Sequence, residues 1–165
     1  MGQYWYPVNL TRREFIHPHK LGSGFKLWEQ VASHPGVGAA LVILCAAMPE
    51  RRGGGDLSPI AGDVNEKIVG RWAGDRIVLV GDYAEDGDLA DSPVPASHIY
   101  DLCSAGAYGA AENAEWLAEH GYTEKDAFRD VSELVCQQIE KELDGKFTGT
   151  GWRRFVENGE TVEAP

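Results

Sequence analysis

The segment "GRWAGDRIVLVGDY", residues 70–83, constrains this chain most. Its core "RIVLVG" is apolar almost throughout, which predicts a strand covered on both faces. A strand of that kind needs material packed on each side, so the fold must be layered. Two Gly-Asp pairs bracket it, Gly74-Asp75 and Gly81-Asp82. The preceding "KIVGRW" is also strand-like, and the short "AGDR" between the two predicts an antiparallel hairpin with Asp75 in its turn. The two aspartates are seven positions apart, roughly 23 Å along an extended strand. They are therefore not one catalytic dyad. Asp82 is the better functional candidate, because more acids follow it.

The rest of the chain supplies layers for such a strand. "YWYPVNL" (4–10) reads as a strand, with Pro7 pointing to an edge or bulge because it cannot donate to a ladder. "NLTRRE" reads as a turn and "EFIH" as a returning strand, together an N-terminal hairpin. Ser23 is positioned to cap a helix over 24–33 with Phe25, Trp28, Val31 and Ala32 on one face. "GVGAALVILCAA" (36–47) fits a buried strand or a buried helix; Leu41, Val42, Ile43 and Leu44 favour the strand, the flanking alanines a helix, and the strand is the reading taken. "PERRGGGDLSPIAGD" (49–63) is a loop, its three glycines suited to a surface loop or a lid. "HIYDLC" fits a strand or a helix start, and "YGAAENAEWLAEHG" a helix stopped by Gly121. Thr123 is read as capping a long helix to Gly145, striped by Phe128, Val131, Val135 and Ile139. A strand at 152–156 and an Asn158-Gly159 turn follow, with 158–165 as a fraying tail. The sum is one α+β domain over 1–165, with a mainly antiparallel sheet of about five to seven strands and about three helices.

Composition narrows the function classes. Among 165 residues, 26 are acidic and 15 basic, for a formal net charge of -11. That argues against nucleic acid and against an anionic membrane surface, both of which need a basic footprint. It suits solubility, cation binding or a basic protein partner. Cys45, Cys103 and Cys136 form no CxxC pair and read as buried free thiols in a reducing cytosol. No secretory leader pattern appears in "MGQYWYPVNLTRREF", and Tyr6 breaks the myristoylation pattern that Gly2 would begin. "VGAALVILCAAM" is about 12 residues, too short to cross a bilayer. The expectation is a soluble cytoplasmic protein.

Four groups of residues have chemistry to offer. Asp82 stands at a strand end, where a carboxylate binds metal or acts as a base. "DYAEDGDLAD" adds Glu85, Asp86, Asp88 and Asp91; against an EF-hand pattern, Ala84 and Pro93 fail where ligands are needed, so it is an acidic loop of another kind. "HPH" offers His17 and His19, which with Asp82 would make a divalent metal site if the chain folded them together. The tryptophans and tyrosines, Trp72 and Tyr83 among them, suit core packing or interface anchoring. The GxSxG, Walker A, dinucleotide-glycine and HExxH motifs are all missing.

"YWYPVNLTRREFIHPHKLGSGFKLWE" and "GRWAGDRIVLVGDY", continued by "IYDLC" and "FRDVSELV", resemble a family of small uncharacterised proteins, widespread in bacteria and sporadic elsewhere. The resembling residues are Asn9, Pro18, His19, Trp72, Gly74, Asp75, Arg76, Gly81, Asp82 and Tyr83. The resemblance implies that the hairpin and the HPH loop share one design, and brings no activity, substrate or cofactor. Two functional readings follow. In the first, the chain is an acidic binding module without a cofactor. It neutralises a basic protein as an inhibitor or immunity protein would, with His19, Trp72, Asp75, Arg76, Asp82, Tyr83, Asp86 and Asp88 as contact candidates. In the second, it is a metal-assisted hydrolase or transferase using Asp82 with His17 and His19.

Overall fold

The computed structural model describes residues 2–47, 68–157 and 160–161. The glycine-rich loop of 49–63 and the Asn158-Gly159 turn lie outside the described residues. The class is α+β as expected, but its elements divide differently. Two sheets are present, and five helices rather than three stand among the described residues. The chain forms two compact units. One comprises 1–17, 25–27 and 75–131, the other 18–24, 28–74 and 132–165.

The first unit holds β1 (Trp5–Asn9), β2 (Glu14–Phe15), β3 (Ile77–Gly81) and β4 (Arg129–Asp130), in the order β3-β1-β2-β4. The N-terminal hairpin forms as read, pairing Val8 with Phe15 and Asn9 with Glu14. Asn9 Oδ1 closes its turn by accepting from the Arg12 amide at 2.9 Å. Pro7, however, sits in a central strand. Hydrogen-bonded pairs at Tyr4–Asp82 and Leu10–Arg76 bracket the β1–β3 ladder. Two-residue alternation therefore turns Pro7 towards the β2 side. There the Ile16 amide donates to Pro7 O at 3.1 Å, so the ladder forgoes only the return bond that a proline cannot donate.

The expected "KIVGRW"–"RIVLVG" hairpin does not form: β3 pairs with β1 over its whole length. Nor are both faces of β3 covered. It is an edge strand, and Leu79 is 40% exposed. Against the other face packs α3 (Ala96–Tyr108), whose buried Ile99, Leu102 and Cys103 meet Tyr6, Val8, Phe15 and Val80 in one apolar cluster. The "HIYDLC" segment is thus helical. α4 (Ala114–Glu119) follows, and Gly121 stops it with φ +75°.

Thr123 caps something shorter than the helix assigned to it. Its side chain and that of Asp126 exchange bonds around a single 3-10 turn, 124–126. Phe128 and Val131 are buried as loop and strand-flanking residues, and the long helix begins only at Ser132.

In the second unit, α1 (Glu29–Ala32) is one turn long, and Trp28 and Val31 are exposed rather than packed. Ser23 caps the following helix instead: its Oγ accepts the Val37 amide at 3.0 Å. That helix, α2 (Gly36–Cys45), corrects the strand reading of the apolar run. Residues 70–72, taken for a strand, satisfy its end. The Gly70 amide donates to Ile43 O at 2.9 Å and the Trp72 amide to Leu44 O at 2.8 Å. Terminal helix carbonyls have no partner within the helix, so an adjoining segment must provide one. α5 (Ser132–Leu143) packs on α2 through a face that includes buried Val135 and Ile139. β5 (Gly145–Thr148), β6 (Arg154–Glu157) and β7 (Glu160–Thr161) make an antiparallel sheet in that order. Gly145 opens β5 rather than capping a helix. Cys103 and Cys136 are buried, whereas Cys45, at the end of α2, is exposed. Among the described residues, no helix is long and apolar enough to cross a membrane.

Candidate functional site

Most of the candidate residues cluster around β3. At its start, Asp75 Oδ2 accepts from Asn9 Nδ2 at 2.9 Å and from Arg12 Nε at 2.8 Å. The Asn9 bond first, then Arg12, holds the Asp75 carboxyl below the usual carboxylate range. Asp75 therefore ties the β1–β2 turn to the entry of β3, where sequence alone suggested the turn of a hairpin. Arg76 beside it reaches forward. Its guanidinium donates to Ala90 O at 2.6 Å and Asp91 O at 3.0 Å.

At the other end, Asp82 extends the ladder. Its amide donates to Tyr4 O, and its Oδ1 accepts the Tyr4 amide, both at 3.0 Å. The acidic segment 82–91 then runs from Asp82 back to the Arg76 guanidinium, and its shape is set at several points. Glu85 and Asp88 form a reciprocal capping box around the 3-10 turn 86–88. Ser97 Oγ donates to Asp86 Oδ1. Tyr83, 59% exposed, stands at the start of the loop.

Between this loop and the β3 edge lies a hollow of about 200 Å³, with Leu79, Gly81, Ala84, Asp88 and Leu89 in its wall. It is mostly apolar with a carboxylate at hand. Such a lining suits a long side chain with an aliphatic stem and a basic head.

The remaining candidates lie elsewhere. Trp72 is fully buried in the second unit, where it serves packing and the α2 terminus. His19, in the same unit, stacks on Trp152 with centroids 5.0 Å apart and planes 5° from parallel. Burial lowers its pKa against the opposing pull of Glu29. His17, in the first unit, is buried, with Nε2 2.9 Å from Tyr108 Oη and its ring edge-on to Phe25. Each residue of the supposed metal trio thus has another contact. Among the described residues, no group of three or more His, Cys, Asp or Glu is placed to hold a metal ion.

Sequence reasoning missed one cluster. His98 Nδ1 lies 2.9 Å from Tyr122 Oη, and His120 Nδ1 lies 2.8 Å from Trp116 O. The His120 ring stacks on Trp116 at 4.4 Å, and His98 stands perpendicular to Trp116 and Tyr122. Burial pushes the nearby Asp101 carboxyl above its ordinary range, against His120 and His98. The signal was present as spacing: His98 and Asp101 three apart on α3, Trp116 and His120 four apart on α4. What spacing lacks is the approach of the two helices. The rings link the first turn of α3 to α4 and to Tyr122 beyond it.

Comparison with protein-family models, with curated proteins and with solved structures gave no significant match.

Proposed function

We propose that this chain is an acidic binding module that takes a basic protein partner on loop 82–91, in the manner of an inhibitor or immunity protein. The observation that carries this reading is the bracing of the loop. Asp82, Glu85, Asp86, Asp88 and Asp91 stand on a segment anchored by Arg76, by Ser97 and by its own capping box. A braced loop has little conformational freedom left to lose on binding, so more of the Coulomb attraction survives as affinity. The net charge of -11 adds long-range steering towards a basic surface.

The test is titration with poly-lysine as the basic probe at about 20 and about 200 mM NaCl. Two triple variants accompany the unaltered chain: Asp82→Asn/Asp88→Asn/Asp91→Asn, and a control on α4 and its approach, Glu112→Gln/Glu115→Gln/Glu119→Gln. The expected result is binding at low salt that weakens steeply with salt, and that the loop variant loses about tenfold more than the control. Equal losses would mean that net charge alone attracts the probe and would remove the loop from the proposal. Absence of binding at low salt would end the reading.

A further inference from the structure

The edge of β3 has the form of a docking strand. Alternation from the Tyr4–Asp82 and Leu10–Arg76 pairs makes Val78 and Val80 face β1. Ile77 and Leu79 therefore direct their backbone amides and carbonyls away from β1, while Gly81 O is taken by the Ala84 amide at 3.2 Å. Among the described residues β3 is the last strand in its order, and no further strand of that sheet receives them. Folded proteins usually blunt such an edge with lysine, proline, a bulge or a covering segment. "IVLVG" carries no charge, no proline and no irregularity in its register. Leu79 stands 40% exposed on it, and the hollow walled by Asp88 and Leu89 opens alongside.

We infer that β3 receives an extended basic segment of a partner protein as an added strand, with a lysine or arginine side chain entering the hollow towards Asp88. This rests on the reading of the chain as a module for basic partners and supplies its mode of recognition. Strand addition gains affinity from main-chain hydrogen bonds, and specificity from pockets for alternate side chains. Charge selects the occupant. A second copy pairing through β3 would set two chains of net charge -11, each with its acidic 82–91 loop, beside one another. A basic strand meets the same loop with attraction.

The probes are two capped peptides of equal length and charge: four Lys-Val repeats, which can extend as a strand, and four Lys-Pro repeats, whose prolines cannot donate. Binding to the full chain is measured by fluorescence anisotropy, and amide exchange at Ile77 and Leu79 is followed by NMR. The expected result is that the Lys-Val peptide binds about tenfold or more tightly than the Lys-Pro peptide. It also slows exchange at Ile77 and Leu79. Leu79→Pro, which removes an outward-facing donor, abolishes the difference. Should that variant misfold, a Lys-Val peptide N-methylated at alternate residues puts the same question to the unaltered chain. Equal binding of both peptides would overturn strand addition while leaving the basic-partner reading standing. If neither peptide binds, the reading falls and this inference with it. Concentration-dependent dimers that Leu79→Pro dissolves, with no effect of Lys-Val peptide, would assign the edge to a second copy and overturn the proposal.

Discussion

Asp75 and Gly106 show how much a single position depends on what lies across from it. Gly74-Asp75 reads in sequence as the turn of a hairpin that does not form, and the partners that hold Asp75 instead, Asn9 and Arg12, are 66 and 63 positions away. Asn9 is fully buried, so Asp75→Ala leaves its amide without that acceptor. The expected cost is about 1–3 kcal/mol, measured by urea unfolding. The folded pKa of Asp75 is depressed, so its contribution is present above the unfolded value of 3.8. It is lost as pH falls through the lower folded value, and Asp75→Asn flattens that acid limb relative to the unaltered chain. Gly106 lies within α3, where alanine is the better helix former by about 1 kcal/mol. Yet a Cβ there would be driven into the Phe128 carbonyl. Gly106→Ala is therefore expected to lower stability by about 1–3 kcal/mol. A gain in thermal midpoint would contradict that close approach.

At the scale of elements, α2 is the instructive case. A run such as "GVGAALVILCAA" has no polar residue to reveal its period, so its β-branched centre tipped the reading to a strand that the structure replaces with a helix. The decision came from its two ends: Ser23 supplies the cap, and residues 70–72 take up the terminal carbonyls. A helix has an outward side even in an apolar run. Val42 is 72% exposed, whereas Leu44 is fully buried. Leu44→Ala should cost about 2–5 kcal/mol, and Val42→Glu should stay within about 0.5 kcal/mol, by chemical denaturation. Comparable losses at both would restore a run buried all round. Thr123 is the converse case. Its capping signal was real, but Asp126 at the third position serves a single 3-10 turn, and the helix starts at Ser132.

For the whole molecule, the governing quantity is charge. With 26 acidic and 15 basic side chains, mutual repulsion works against the compact state at low ionic strength. Raising NaCl from about 10 to about 150 mM should therefore raise the thermal midpoint, since screening weakens that repulsion. If ion pairs such as Arg12–Asp75 and Arg153–Glu133 dominated instead, salt would lower it. The sign of the change separates the two balances.

The α+β class, the N-terminal hairpin, the β3 strand and the acidic character of 82–91 are all readable from the chain alone. Each rests on local chemistry: strand alternation, turn residues, side-chain charge. Which strand β3 would join was not readable, because pairing is settled by burial between residues some 70 positions apart. "KIVGRW", its nearest strand-like segment in the chain, was the neighbour that local chemistry offered. Only the tertiary structure gave β3 to β1 and residues 70–72 to the end of α2. The same choice left the outer edge of β3 open beside the acidic loop.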